Sequence, residues 1–351
     1  MSDSLKTMLA AMPDSYQKTV GFFTYDLLAA AAIRLDQTEQ QLHEIESKLD
    51  PENLSGDELD RYIYPRTGQR RNSATHAIGA VTVFGTGEIR EGDLFESGGG
   101  IQFAATQNVS VSDTATVSVR CTAAGAVGNL PSGSITMMPV QLSGIVRVTN
   151  QEPTHDGYDA ETDEAYYQRF LIRVQTPPTS GNVYHYLSWA LEVAGVGAAQ
   201  VYPLGHGDNT VDVVIIDAEG MPASTDLVAA VQKHIDPDSA GLGYGEAPIG
   251  AYCYVSAAQG MPVAITVQVT PLVGYDHAAL TKTIKERITS YLKSIAFKQK
   301  YLSYAKLSGV ILDIDGVLDF EQLTVNGSVG NVAIADRKVA VMGEVTVTYA
   351  T

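Results

Sequence analysis

The spacing of apolar residues changes character twice along this chain, and those changes constrain its fold more than any other feature. Between Ser15 and Asp50, leucines recur every seventh residue (Leu28, Leu35, Leu42, Leu49), with Ala31, Thr38 and Ile45 three residues after the first three. The segment has no proline and no glycine after Gly21, so the spacing predicts one long helix bearing an a/d seam. From Ala77 the period becomes two: AVTVFG, GDLFES, IQFAAT, NVSVS, TATVSVRC and GSITMM alternate apolar and polar residues between the turn signals GTG, SGGG and SD. After about Thr162 capped helices return, and strands then alternate with helices to the end. A chain with these three regimes is an α+β multidomain protein with a long N-terminal helix, a β-rich middle domain and C-terminal α+β plait-like domains.

The boundaries follow from the same changes: 1–76 as an N-terminal helical and linker region, 77–150 as the β-rich domain, 151–195 as a helical connector, 196–270 as an α+β domain and 271–351 as a second α+β domain. Thr162, followed by Asp163 and Glu164, reads as a helix start, a capping hydroxyl with acids at the positive end of the dipole. Thr179 or Ser180 reads as the next cap. The N-terminal seam has two readings: a helix packed within its own domain, or one that docks against a helix of another chain. A narrow a/d stripe is the mark of helix-to-helix association.

Composition removes several classes of function. With 45% hydrophobic and 18% charged residues over 351 positions, the chain lies far from the disordered regime and is long enough for two or three domains. Its 40 acidic against 23 basic residues give a net charge of −17, which repels phosphate backbones, so nucleic acid is not an expected partner. The densest basic cluster, RTGQRR (Arg66, Arg70, Arg71), reads as a solvated linker. Cys121 and Cys253 sit far apart in strand-like runs and read as small buried thiols. The opening MSDSLKTMLAAMPDSYQ lacks the order of a signal peptide. The longest apolar stretch is short for a bilayer and contains Asp26, so no membrane association is expected.

Motifs that could carry chemistry fail on context. LDIDGVLDF (312–320) looks like the Asp-x-Asp-Gly nucleophile of a magnesium-dependent phosphatase, with Asp313 attacking and Asp315 as acid/base. That fold needs further strands and metal-binding acids downstream, and only 35 residues follow Gly316. The plainer reading is a tight turn between short strands. HDGYDAETDE (155–164) is rich in oxygen but lacks the ligand order of a calcium loop and reads as a surface loop entering a capped helix. The histidines at 43, 76, 155, 185, 206, 234 and 277 show no metal-ligand spacing, and no nucleophile elbow is present. GLGYG (241–245) follows a helical run and precedes a strand, the reverse of a phosphate-cradling loop, so it reads as a connector that ends the helix. No catalytic, cofactor-binding or metal residues are expected, and no cofactor.

The stretches GAVGNLPSGSITMM (125–138), GIVRVTNQEPTHDGYDAETDEAYYQRFL (144–171), PPTSGNVYHYLSWALEVAGVGAAQVYPL (177–204), VVIIDAEGMPAS (213–224) and APIGAYCYVSAA (247–258) resemble the baseplate J-like family, components of the baseplate wedge in contractile phage tails and related injection machines. They fall in order over about half of the sequence, and the run from Gly125 to Leu204 carries most of the resemblance. The resemblance implies a structural, non-enzymatic wedge subunit. It would pair with a second copy and join other wedge proteins through an N-terminal helical bundle. Its C-terminal region, 271–351, would serve as a dimerisation domain and help close a ring around the tail hub, relaying the trigger to sheath contraction. Hub and sheath would be indirect partners, and the protein would be made and assembled in the bacterial cytoplasm. The seam residues Leu28, Ala31, Leu35, Thr38, Leu42, Ile45 and Leu49 fall where the bundle helix should be. The rival readings are a phosphatase using Asp313 and Asp315, and a receptor-binding or adhesin module suggested by the β-rich middle. The sequence does not distinguish a phage from a bacteriocin-like tail or another injection machine.

Overall fold

The computed structural model describes residues 2–175 and 181–350, and the chain divides into two compact units, Met1–Arg70 and Arg71–Thr351. The first unit is helical. Ser2 caps α1 (Asp3–Ala11) by accepting from the Leu5 N–H. α1 lays Leu5, Met8 and Leu9 on Tyr25, Leu28, Ala29 and Ala32 of α2 (Phe23–Ser47). The expected helix exists but is shorter than its Ser15–Asp50 segment: Gly21 sits at φ +90°, residues before Phe23 are turns, and Leu49 lies beyond the C-cap at Lys48. α3 (Gly56–Thr67) ends at Gly68, whose positive φ lets its N–H bond back to the Tyr64 carbonyl.

The second unit opens with six strands: β1 (His76–Ile89), β2 (Leu94–Ser97), β3 (Gln102–Ala105), β4 (Val109–Ala124), β5 (Ile135–Met137) and β6 (Ile145–Thr149). They form one antiparallel sheet in the order β5-β2-β3-β4-β1-β6. The period-two pattern folds this way because alternate residues (Val81, Val83, Phe95, Phe103, Val117, Val119, Cys121) bury on one face. β6 crosses β1 so closely at Gly85 that an added Cβ would sit 2.1 Å from the Gly144 carbonyl oxygen, at φ +138°. Where β5 and β6 approach without a strand ladder, buried Asn150 closes the gap. Its Oδ1 accepts from the Ile135 N–H at 2.9 Å, its Nδ2 donates to the Pro131 and Glu152 carbonyls, and its own carbonyl accepts from Gly133.

α4 (Asp163–Gln175) starts where expected, with Thr162 Oγ1 accepting from the Ala165 N–H. α5 (Val183–Glu192) is capped by Asn182, which accepts from the His185 N–H; the expected caps Thr179 and Ser180 lie outside the described residues. The sequence reading places α5 in a connector, whereas here Tyr186, Trp189 and Ala190 join the core of the next sheet. That sheet has the order β7-β8-β9, from β7 (Val196–Pro203), β8 (Thr210–Asp217) and β9 (Tyr252–Ala257). β8 and β9 are parallel, joined across α6 (Thr225–Ile235). β8 reads as a continuous apolar run because both its faces are covered: Val213 and Ile215 face α5 and α6, while Val214 and Ile216 meet Ala258, Ala296 and Val339.

β10 (Gln259–Pro271) follows β9 directly but pairs elsewhere, antiparallel with β12 (Val317–Val325) and parallel with β14 (Lys338–Tyr349). Between β10 and β12 come α7 (His277–Ile295), β11 (Tyr301–Leu302) and α8 (Tyr304–Leu312); β13 (Val332–Ala333) pairs with β11. α7 and α8 cover one face of the β12-β10-β14 sheet through Leu280, Ile284, Ile288, Leu292, Leu307 and Ile311.

Asn150→Ala should lower global stability by about 2–3 kcal/mol in urea unfolding, because it strands a buried N–H and two carbonyls at once. A change under about 0.5 kcal/mol would show that the β5–β6 gap does not need the side chain.

Candidate assembly interface

On α2, the seam divides by exposure. Leu28 lies half-buried under α1, while Leu35, Leu42 and Ile45 are 45%, 59% and 60% exposed; Ala31 and Thr38 lie open beside them. Leu49 is exposed too, but beyond the helix end it cannot continue the stripe. α1 covers the stripe Tyr25, Leu28, Ala29 and Ala32, about a third of a turn from the seam. Thus the helix's own unit covers only the first seam position. Leu27, also exposed, lies on the seam side and extends the open stripe toward the helix start. The sequence reading missed α1, although Ser2 and Asp3 ahead of Leu5 and Leu9 carry a cap and an i, i+4 apolar pair.

Within the second unit, the stretch with the strongest resemblance forms a strap, residues 154–163, that joins the six-stranded sheet to the β7-β8-β9 sheet. On the first side, Thr154 Oγ1 donates to the Gly128 carbonyl (2.6 Å) and accepts from the Leu130 N–H (2.7 Å). Asn129 clasps Gly157 through both its backbone N–H and carbonyl. Thr75 bonds the backbone of Asp156 and Tyr158. On the second side, the Tyr158 ring packs into the core with Val196 and Leu227, and Asp156 accepts from Ser224, the cap of α6, at 2.8 Å. Behind the strap, Glu161 takes a two-pronged pair from Arg169 (2.9 and 2.7 Å), both side chains at most one-tenth exposed, and accepts from the Asn72 N–H. HDGYDAETDE is therefore a tie between sheets rather than a surface loop, because its acids find fixed internal donors.

Arg71 corrects the solvated-linker reading in the same way. It pairs with Asp163 at 2.6 Å, bonds the Glu161 carbonyl and lies over the Tyr166 ring. Arg66 and Arg70 lie over Tyr62 and Tyr64. Among the described residues, His155, Asp156 and Asp226 bring an imidazole and two carboxylates within 4.8 Å of one another. Asp156 is already engaged by Ser224, Tyr158 and His155, so the group is a hydrogen-bond junction.

The other singled-out residues take structural roles. Asp313 caps α8 with its side chain 85% exposed, 3.8 Å from Arg287, and Asp315 is also exposed. The preceding element is a helix, not the strand that sequence suggested, because Leu307 and Ile311 fall on one face against the core. GLGYG follows α6 as expected, and buried Asp236 fixes it by accepting from the Gly241 and Cys253 N–H groups. Gln232 reads the same edge of β9, donating to the Cys253 carbonyl and accepting from the Val255 N–H. Burial first, then nearby Asp236 and Asp212, pushes the Cys253 thiol up to about 12, which keeps it protonated and unreactive. No helix among the described residues is long and apolar enough to cross a membrane.

Sequence comparison places a family on this architecture. Residues 80–157 match the baseplate J-like protein barrel domain, 178–257 the baseplate J-like central domain and 263–348 the baseplate J-like C-terminal domain. The chain belongs to the baseplate J-like family. Its barrel is the six-stranded sheet, its central domain the β7-β8-β9 sheet with α5 and α6, and its C-terminal domain the β12-β10-β14 sheet. Relatives include the phage-like element PBSX protein XkdT of Bacillus subtilis, 27% identical over 98% of this chain and 96% of its own. Baseplate protein gp47 of Escherichia phage Mu is 26% identical over 88% of this chain and 86% of its own. A chain of the anti-feeding prophage baseplate, seen by cryo-electron microscopy, aligns over 97% of this chain and 90% of its own at 12% identity, with a TM-score of 0.42. As a baseplate J-like protein the chain is a structural component of a phage or prophage-type baseplate, not an enzyme.

The central domain carries its own pH dependence. Asp217 ends β8, and burial pushes its carboxyl up to about 6, against the bonds it accepts from the Met221 and Glu219 N–H groups. A raised carboxyl binds more protons folded than unfolded, so stability should fall as pH rises from about 4 to about 6 and then level off. Asp217→Asn keeps the accepting oxygen and should remove that fall, raising stability at pH 7.5 by about 1–2 kcal/mol. Denaturant titrations of both proteins at pH 4, 5, 6 and 7.5 measure this; equal slopes with pH would contradict it.

Proposed function

We propose that this protein is a wedge subunit of the baseplate of a contractile tail, attached to its wedge partners through the open seam of α2. The observation that carries this is the exposed stripe of Leu35, Leu42 and Ile45 on a 25-residue helix whose own unit covers a different face. A helix of another wedge protein, or of a second copy, would lie on Leu28, Ala31, Leu35, Thr38, Leu42 and Ile45, while Leu49 would make only an end contact. Self-association would then link wedges into a ring around the tail hub, and movement of the ring would relay the trigger to the sheath.

Each leucine buried in the seam contributes about 2 kcal/mol to association. Leu35→Glu together with Leu42→Glu should therefore weaken the bundle by about 4 kcal/mol or more, since it also leaves charge in an apolar contact. The double variant should keep its circular dichroism and melting profile yet fail to co-purify with co-expressed wedge proteins. Aggregation or unfolding of the isolated variant would mean that the stripe packs within its own subunit. Normal co-purification would mean that the stripe is not an interface.

A further inference from the structure

We propose that the loop after α6 and the adjacent tyrosines of β9 dock a segment of another baseplate protein that presents Lys or Arg beside apolar side chains. The proposal rests on the chain being a baseplate component, and it adds a contact on residues other than the α2 seam. The loop, residues 236–250, connects α6 to β9, yet it holds Leu242, Tyr244 and Ile249 at 57%, 83% and 84% exposure. A connector needs none of these side chains: they leave apolar surface in water and add nothing to their own domain's core.

The loop is tied at both ends. Buried Asp236 accepts from the Gly241 and Cys253 N–H groups, Glu246 and Ala247 donate to the His234 and Ile235 carbonyls at the end of α6, and Gly250 donates to the Gly241 carbonyl. Gly243, at φ +72°, lets Ile249 lie against its backbone, where an added Cβ would stand 2.6 Å from Ile249 Cγ1. The backbone that carries the three apolar side chains is therefore set before any partner arrives, which spares association the entropy of ordering a loop.

The surface continues onto β9. Tyr252 packs against Gly241 and donates its N–H to the Asn209 carbonyl of the β7–β8 hairpin, and the His206 ring lies 4.5 Å from that of Tyr254. Tyr252 and Tyr254 stand opposite Thr210 and Asp212 of β8, so they share the face that the C-terminal domain covers at Val214 and Ile216. That cover ends at Arg337, which pairs with Asp212 and lies over Tyr202; beyond it the two tyrosines are exposed. The edge of β9 is not the contact, because Gln232 and Asp236 already hold its outer backbone groups. Side chains must therefore meet the partner.

Charge names the partner's chemistry. From Val196 to Ala258 the chain holds eight Asp and Glu against Lys233 alone and no Arg. Three of those acids, Asp208, Asp238 and Glu246, stand exposed in the two loops that border the tyrosines, and none has an ion pair among the described residues. An apolar and aromatic surface bordered by unpaired carboxylates fits a segment that brings cations: Lys or Arg pairs with the acids, and a guanidinium stacks on tyrosine faces. A second copy of this domain would bring the same carboxylates, and its one Lys does not offset them.

Site-specific cross-linking tests this. The full chain with p-benzoylphenylalanine in place of Tyr244 is co-expressed with other baseplate proteins and irradiated, and the cross-linked peptide is identified by mass spectrometry. The peptide should come from another baseplate protein and carry Lys or Arg beside apolar residues. Synthesised and titrated against the full chain, it should bind about tenfold or more weakly to Leu242→Ser/Ile249→Ser, with unchanged circular dichroism. Asp238→Asn/Glu246→Gln should weaken it about threefold at low salt and have no effect in about 0.5 M NaCl. Cross-links only to a second copy or to a segment without cations, or none in particles that contain the chain, would overturn the proposal, as would peptide binding unchanged by either double variant. If Leu242→Ser/Ile249→Ser does not fold, Tyr244→Ser decides in its place. Leu35→Glu/Leu42→Glu should bind the peptide with unchanged affinity, so this contact and the α2 interface fail separately.

Discussion

The strap from Thr154 to Asp163 is the constraint on which the larger unit depends. A short segment of backbone and small polar side chains satisfies groups on the barrel through Thr154, Asn129 and Thr75, and on the central domain through Asp156 and Tyr158. Buried polar groups are costly unless every one is paired, and a network that pairs them across two sheets fixes how those sheets meet. The Glu161–Arg169 pair behind it works in the same sense, because removing either partner would leave a charge out of water. Beyond the central domain, β8 carries the join onward by burying Val214 and Ile216 against the C-terminal domain, and Asp212 adds an ion pair to Arg337 at 2.7 Å.

How much of this was legible in the sequence differs by element. The period-two runs, the long leucine helix, the Thr162 cap and the helix-then-strand order around GLGYG all rest on local rules, and each appears in the structure. What local rules could not carry was pairing at a distance. Glu161 meets Asn72 and Arg169, and Gln232 meets β9, only after the chain has folded, so neither role leaves a spacing signature. LDIDGVLDF reads as a turn between short strands, but the segment before it is the helix α8, because Leu307 and Ile311 bury on one face against the core. At the candidate site the heptad spacing located the stripe, but it could not show that α1 covers an adjacent face, nor that the helix stops before Leu49.

The acidic balance gains a meaning from the same geometry. It is spread over the helical unit, barrel and central domain, while the C-terminal domain is close to neutral. In the proposed assembly, like-charged bodies are kept apart except where the apolar stripe on α2 meets its partner. Association that depends on a few such surfaces gives order to assembly, because repulsion elsewhere suppresses unspecific contact.

The α2 stripe is proposed to be an interface between subunits of a baseplate. Cryo-electron microscopy of the assembled baseplate at side-chain resolution tests it most directly. The proposed interface requires that this chain lie in the baseplate with Leu35, Leu42 and Ile45 buried against a helix of another subunit. Density showing those three side chains in solvent, or covered only by their own chain, would contradict it.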